Sequence, residues 1–182
     1  MVNLQIGDTI LTNLTIVADI IIVLFVLDLI RMHLIKSRKF SNSWELISNR
    51  FLLFSFIVAL IATLGSLYYS DILGYEPCKL CWYQRIFMYP QVILLGVASL
   101  KKHKSIAIYS LLFSIIGAII AAYHYLGQIG SFSLPCSAVG YSSSCAETFI
   151  LNYGYITIPM MALSAFSLII IAIVLYISKK SS

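Results

Sequence analysis

Two cysteines and a fixed cation lie close together in the segment Cys78-Lys79-Leu80-Cys81-Trp82-Tyr83-Gln84-Arg85. Thiols separated by two residues can close a small disulfide, and the same spacing lets one thiolate attack while the other resolves the product. If a helix begins near Cys81, then Gln84 and Arg85 follow on the same face, one turn deeper. Amide dipoles at a helix N-terminus and a nearby positive charge both favour a thiolate. We therefore expect Cys81 to be an activated thiol with a lowered pKa.

The composition of the 182-residue chain is that of a membrane protein. Apolar residues make up 60% and charged residues 10% of it, whereas soluble domains carry about 25% charged residues. A bilayer core about 30 Å thick takes roughly 20 apolar residues per helix, and several such stretches follow one another here. The formal net charge of +5 lies mostly in the short links between them, which is a topology signal and argues against a nucleic-acid partner.

The hydropathy pattern predicts an all-α polytopic membrane fold, a four-helix bundle with an additional N-terminal helix. The apolar stretches run over about residues 10–30, 51–69, 81–100, 105–126 and 153–177. Basic residues cluster at 31–50, 101–104 and 179–180, and such links favour the cytoplasmic side. All four cysteines then lie on the opposite side of the membrane, outside the cytoplasm. The N-terminus has no convincing cleavable signal.

The first apolar stretch contains two carboxylates, Asp19 and Asp28. We interpret it as a membrane helix, with an interfacial helix lying on the membrane as the alternative. Asp28 can pair with Arg31, whereas Asp19 should face other helices or water, because a carboxylate in lipid is costly. The chain thus divides into an extra helix with a basic link at 1–50 and a four-helix core with two cysteine loops at 51–182.

In the oxidising compartment outside the membrane, disulfides are the default state of cysteines. Cys136 and Cys145 lie in a loop rich in glycine and serine, and a structural clip is one interpretation of them. A four-cysteine zinc site is disfavoured, because only one of the two pairs has close metal-ligand spacing. No dinucleotide fingerprint or iron–sulfur cysteine run is present. A purely structural bridge would not need the adjacent Gln84 and Arg85, so we favour redox chemistry.

The string Cys78-x-Leu80-Cys81-x-x-Gln84-Arg85, followed after one hairpin by a second cysteine pair, resembles the DsbB family of quinone-dependent, disulfide-generating membrane proteins. The short Cys136–Cys145 spacing and the segment 154–159 are similar to compact BdbC-type members. The resemblance covers roughly residues 51–178. It implies a four-helix bundle that reoxidises a DsbA-like thioredoxin-fold thiol oxidase and passes electrons to a membrane quinone, ubiquinone or menaquinone.

The resemblance also implies a role for each site residue. Cys136 would form the mixed disulfide with the partner, Cys145 would be its loop mate, and Cys78 would exchange with Cys145. Cys81 would face the quinone. The quinone-binding residues would be Cys81, Gln84, Arg85 and His124. The loop between Cys136 and Cys145 is short, so the two cysteine loops would have to be neighbours from the start. No resident metal is expected.

Two other functions compete with this one. The first is a membrane scaffold or transporter-like bundle whose loops are clipped by two inert disulfides. The second is a reductase similar to vitamin K epoxide reductase, which uses a similar bundle and runs the same chemistry in reverse. Those proteins place their CxxC motif on a late helix, whereas here it opens the second helix of the core.

Overall fold

The computed structural model describes residues 2–35, 50–101, 104–130 and 144–181. Residues 36–49 of the predicted basic link 31–50, residues 102–103 of the predicted link 101–104, and the predicted site residue Cys136 lie outside the described residues.

Five long helices make up most of the described chain. They are α1 (Val2–Ile35), α2 (Phe51–Leu67), α3 (Lys79–Lys101), α4 (Lys104–Gln128) and α5 (Ile158–Ser181). A π-helical turn, Tyr68–Ile72, continues α2. The only strand-like pairing among the described residues is an isolated bridge between Asn152 and Ile156. The predicted all-α fold is confirmed.

Four segments of these helices are long and apolar enough to cross a membrane: Ile6–Arg31, Phe51–Ile72, Ser105–Gln128 and Ile158–Ile177. Helix α3 is more polar because it carries the chemical motif, and it buries Gln84 and Gln91 against its neighbours. Pro90 does not interrupt it. The chain is therefore a multi-pass membrane protein, as its composition predicted.

Helices α2 to α5 form a ring in which α2 contacts α3 and α5, and α4 contacts α3 and α5. Their shared core is built from small and large apolar side chains, including Ala59, Leu95, Ala121, Phe166 and Ile169. We call the end where α2 finishes and α3 begins the cysteine end, and the other the opposite end. At the cysteine end, the short connection from α2 to α3 brings the CxxC motif next to the segment that precedes α5.

The additional helix α1 lies along this bundle and packs chiefly on α5. The carboxylate of Asp19 accepts hydrogen bonds from Ser164 Oγ at 2.5 Å and from Tyr155 Oη at 3.3 Å. Asp19 therefore faces another helix, as predicted. Arg31 pairs with Asp28 at 2.8 Å, which confirms the predicted ion pair. The packing of α1 along the bundle favours the membrane-spanning interpretation over the interfacial one.

Candidate active site

The CxxC motif forms the first turn of α3. Gly74 has a left-handed φ of 71° that a residue with a side chain rarely adopts, and it turns the chain from α2 toward the motif. Cys78 lies just before the helix, and its carbonyl accepts the first hydrogen bond, from the amide of Trp82. The two sulfurs, Cys78 Sγ and Cys81 Sγ, are 3.1 Å apart and both are free thiols. The motif is thus a dithiol held ready to close.

His124, from the end of α4, joins this dithiol to the second cysteine loop. Its Nε2 lies 3.7 Å from Cys78 Sγ and 3.0 Å from the carbonyl oxygen of Cys145. Its Nδ1 lies 3.1 Å from Nε2 of Gln84. A carbonyl can only accept a hydrogen bond, so Nε2 carries the proton and Nδ1 accepts from the Gln84 amide. His124 is 1% exposed, so this buried ring fixes the two loops side by side.

Cys145 itself is disulfide-bonded and fully buried. The structure therefore combines a reduced motif with an oxidised cysteine in the neighbouring loop. The expectation that the two loops are neighbours is met at Cys145, whose backbone shares the Nε2 proton of His124 with Cys78.

The electrostatics of the dithiol differ from the expectation. The pKa of Cys78 is lowered, chiefly because the Cys81 thiol donates a hydrogen bond to its sulfur and secondarily because His124 does. The pair shares one proton while both cysteines are reduced, and the negative charge is favoured on Cys78. The sequence predicts the activated thiol at Cys81, whereas in the structure the Cys81 thiol donates to Cys78 and the guanidinium of Arg85 is hydrogen-bonded to Ser66.

Arg85 is held by α2. Its Nε donates to Ser66 Oγ at 2.9 Å and its Nη2 donates to the Ser66 carbonyl at 3.0 Å. The guanidinium carbon also lies 5.2 Å from the ring centre of Trp82 and 6.0 Å from that of Tyr89, within cation–π range. Ser66 and Tyr89 were missed from the sequence, because no local pattern links α2 to a side chain on α3.

An apolar cavity of about 280 Å³ opens beside the motif. Cys81, Gln84 and Arg85 line it on the α3 side. Apolar side chains of α1, α2 and α5 line the rest, among them Leu14, Ala18, Ile61, Ala62, Met161 and Ala165. Ligand pockets commonly combine such apolar walls with a few polar groups. Of the predicted quinone-binding residues, three lie on this wall.

His124 is the exception. It lies behind Cys78, in a separate small pocket lined by both motif cysteines, Gln128 and Glu147. It reaches the large cavity only through its hydrogen bond to Gln84. Its predicted contact with the quinone stays a prediction, and the geometry favours a role beside the cysteines.

The donor atoms of Cys78, Cys81 and His124 lie within 4.8 Å of one another, a cluster whose size and composition also suit a metal ion. A four-cysteine site of the kind weighed from the sequence would need Cys145 as well. That sulfur is committed to a disulfide.

Comparison with known proteins finds a matching family and several relatives. The family described as disulfide bond formation protein DsbB matches residues 48–177. The disulfide bond formation protein C of Bacillus subtilis is 48% identical over 134 residues, 72% of this chain and 95% of the relative. A probable disulfide formation protein C 1 of Bacillus anthracis is 49% identical over 121 residues, 66% of this chain and 86% of the relative. No solved structure matches significantly.

The matched region contains α2 to α5 and both cysteine pairs, whereas α1 lies before it. The dithiol, Arg85 and the second cysteine loop thus lie inside the matched region, whereas α1 lies outside it. On the extent of this match, the chain belongs to the DsbB family of disulfide bond formation proteins.

Proposed function

We propose that this protein is a membrane thiol–disulfide oxidoreductase that reoxidises a DsbA-like thioredoxin-fold thiol oxidase and passes the electrons to a membrane quinone. The observation that carries the proposal is the position of the CxxC dithiol. Cys78 faces the second cysteine loop through His124, and Cys81 faces the apolar cavity. A dithiol with one sulfur toward each side is suited to relay electrons between them.

The proposed electron relay consists of two disulfide exchanges followed by one two-electron oxidation. The reduced partner attacks Cys136, forms a mixed disulfide with it, and leaves oxidised while Cys136 and Cys145 become thiols. Cys145 then attacks the Cys78–Cys81 disulfide at Cys78, which closes the loop pair again and leaves the motif reduced. A quinone, when bound, supplies the acceptor for the two electrons and two protons released as Cys78 and Cys81 close their disulfide.

The residues on the cavity wall fit such an acceptor. The walls are apolar, as a lipid-soluble ring requires, and Arg85 supplies a fixed charge that can donate to a quinone oxygen. Because Ser66 holds the guanidinium, its position is set before a ligand arrives. The adjacent Cys81 is the motif sulfur that would face the ring. Cavity size, about 280 Å³, is near the lower end of ligand pockets, roughly 300 Å³.

His124 is a positioning residue in this scheme. Its Nε2 proton lies between the carbonyl of Cys145 and the sulfur of Cys78, so it can stabilise a thiolate leaving from Cys78 during exchange. The Gln84 amide keeps the Nδ1 side unprotonated. The two cysteine loops would lie outside a bacterial inner membrane, with the opposite end of the bundle in the cytoplasm.

The test is reoxidation of a reduced thioredoxin-fold partner by the purified full-length protein with added quinone. Cys81→Ser should abolish turnover. Arg85→Ala should lower quinone-dependent turnover about 10-fold to 100-fold, because a hydrogen bond to a charged group is worth roughly 1.5–3 kcal/mol. Lys101→Ala, which removes an exposed cation from the other end of the same helix, is the matched control and should retain the wild-type rate.

Other functions predict different results. An inert scaffold would show no turnover with any partner or quinone, in wild type or variants. A reductase similar to vitamin K epoxide reductase would favour electron flow in the reverse direction. A metal centre at Cys78, Cys81 and His124 would make activity depend on the ion, whereas the proposed relay should keep its full rate after exhaustive chelation.

A further inference from the structure

The additional helix α1 forms one wall of the cavity onto which Cys81 and Arg85 open. Leu11, Leu14, Val17, Ala18 and Ile21 all line this cavity from α1. The matched family region begins at residue 48, so this wall is supplied by a part of the chain that the family comparison does not include.

Polar contacts fix the rotation of α1 against the core. Near the cysteine end, Asp8 accepts hydrogen bonds from Tyr69 Oη and from the Asn152 amide, both at 2.9 Å. Deeper in the helix, Asp19 accepts one from Ser164. Carboxylates within an apolar span are costly unless they have hydrogen-bond partners. These hydrogen bonds therefore favour one packing position of α1 against the core. A helix that served only as an anchor would need neither carboxylate.

Helix α1 approaches α2 closely at the cysteine end. A methyl group on Gly7 would lie 2.4 Å from the ring of Tyr68, and one on Gly65 would lie 3.0 Å from Leu11. Near the opposite end, Phe25 joins a buried cluster with Phe51 of α2. From Leu11 to Phe25 the helix is about 21 Å long at 1.5 Å per residue. Between these two contacts the helices are separated by the cavity.

The cavity is covered toward the cysteine end and open toward the side. Tyr69, Tyr75 and Phe149 line it there and stack in series, with ring centres 6.3 and 4.9 Å apart. Between α1 and α2, by contrast, the lining residues Leu14, Val17 and Ile57 are 43%, 53% and 43% exposed. In a membrane, this exposed apolar side would face the hydrocarbon of the bilayer.

We propose that the gap between α1 and α2 is a membrane-facing window through which a lipid quinone enters, and that α1 holds the isoprenoid tail of the bound quinone. The inference rests on the proposed function, because it takes the cavity to be the quinone site. The lining favours this occupant, since a tail needs an apolar path continuous with lipid. A water-soluble substrate would need an opening at the covered end.

The test compares two substitutions of the same size on the same helix. Val17 lines the window and Val23 does not, although they are 53% and 55% exposed. We expect Val17→Trp to raise the KM for a long-tailed quinone at least 5-fold, with a smaller effect on the same ring carrying a single isoprene unit. Val23→Trp should leave both KM values unchanged. The folding control is a single turnover of disulfide exchange with the reduced partner, measured without quinone. Its rate should be equal in the wild-type protein and both variants.

A second readout does not depend on turnover. A quinone with a photoreactive group on its tail should label the α1 peptide around residues 11–21 in the wild-type protein, and long-tailed quinone should compete with the label. Labelling confined to α2, α3 and α5, or equal KM values for Val17→Trp and Val23→Trp, would overturn the role of α1 while leaving the proposed oxidase intact. If the wild-type protein neither reduced quinone nor was labelled by it, both the proposed oxidase function and the role of α1 would be overturned.

Discussion

Ser66 accepts two hydrogen bonds from the guanidinium of Arg85, one at its hydroxyl oxygen and one at its backbone carbonyl. The hydroxyl also accepts a hydrogen bond from Tyr89 Oη at 3.2 Å. Ser66→Ala removes both side-chain bonds, each worth about 1 kcal/mol, but leaves the carbonyl contact. We therefore expect the KM for quinone to rise roughly 5-fold, less than in Arg85→Ala, when initial rates are measured against quinone concentration.

The matched control for this change is Ser99→Ala. The Ser99 hydroxyl donates to the carbonyl of Gly96 in its own helix and Ser99 does not line the cavity, so its loss should leave the KM unchanged. Equal effects of the two serine substitutions would show that Ser66 does not position the arginine.

Cys78 determines the pH dependence of the reduced motif. Its pKa is lowered by the hydrogen bond from Cys81 first and by His124 second, so its thiolate should persist at pH values well below about 8.5, the ordinary thiol pKa. Because folding lowers the pKa of Cys78, its thiolate stabilises the folded protein at pH values above the pKa of the same thiol in the unfolded chain. This stabilisation is lost as the pH falls through the pKa of Cys78 in the folded protein.

Thiolate absorbance measured against pH checks this prediction, with Cys136 and Cys145 replaced by serine so that only the motif titrates. The midpoint should move upward in Cys81→Ala and, by less, in His124→Phe. A wild-type midpoint at or above that of an ordinary thiol would contradict the assignment of the charge to Cys78.

At the scale of elements, the contact between α4 and α5 depends on a glycine. A methyl group on Gly117 would lie 2.3 Å from the ring of Phe166, which is fully buried. On α3, a methyl group on Gly96 would lie 3.3 Å from the more accessible ring of Phe56. Both Gly→Ala changes raise helix propensity by about 1 kcal/mol, but overpacking a core costs roughly 1–3 kcal/mol.

Gly117→Ala should therefore lower the thermal unfolding midpoint in detergent, while Gly96→Ala should be neutral or stabilising. Phe166→Leu, combined with Gly117→Ala, should recover part of the loss, because it removes the ring that the methyl group meets. A normal midpoint for Gly117→Ala alone would mean that α4 and α5 do not pack at this distance.

The helices themselves could be predicted from the sequence, because each depends on a local run of apolar residues that a bilayer requires. The motif could be predicted as well, since the spacing from Cys78 to Arg85 is a local property. The partners of His124 and Arg85 could not, because they come from helices distant in the sequence. The cavity wall formed by α1 could not be predicted either, because α1 is distant in the sequence from the other helices that line the cavity. Its carboxylates suggested a buried face, but not which helix would cover it.

At the scale of the whole molecule, charge is distributed unevenly between the two ends. Among the residues whose side chains the structure describes, the cysteine end carries four carboxylates and two cations, Asp8, Asp71, Glu76, Glu147, Lys79 and Arg85, whereas the opposite end carries three cations and one carboxylate, Arg31, Arg50, Lys101 and Asp28. Positively charged links favour the cytoplasm. On this signal we expect the dithiol to face the oxidising compartment, where a thiol oxidase would be reoxidised.

This orientation can be measured with one exposed position from each end. In a protein whose native cysteines are replaced by serine, Asp71→Cys and Lys101→Cys each introduce a single thiol at an exposed residue. A membrane-impermeant maleimide should label the Asp71→Cys protein in intact cells and the Lys101→Cys protein only after the membrane is permeabilised. The reverse pattern would place the cysteine loops in the cytoplasm, where thiols are kept reduced, and a disulfide-generating relay would then have no oxidised product to deliver.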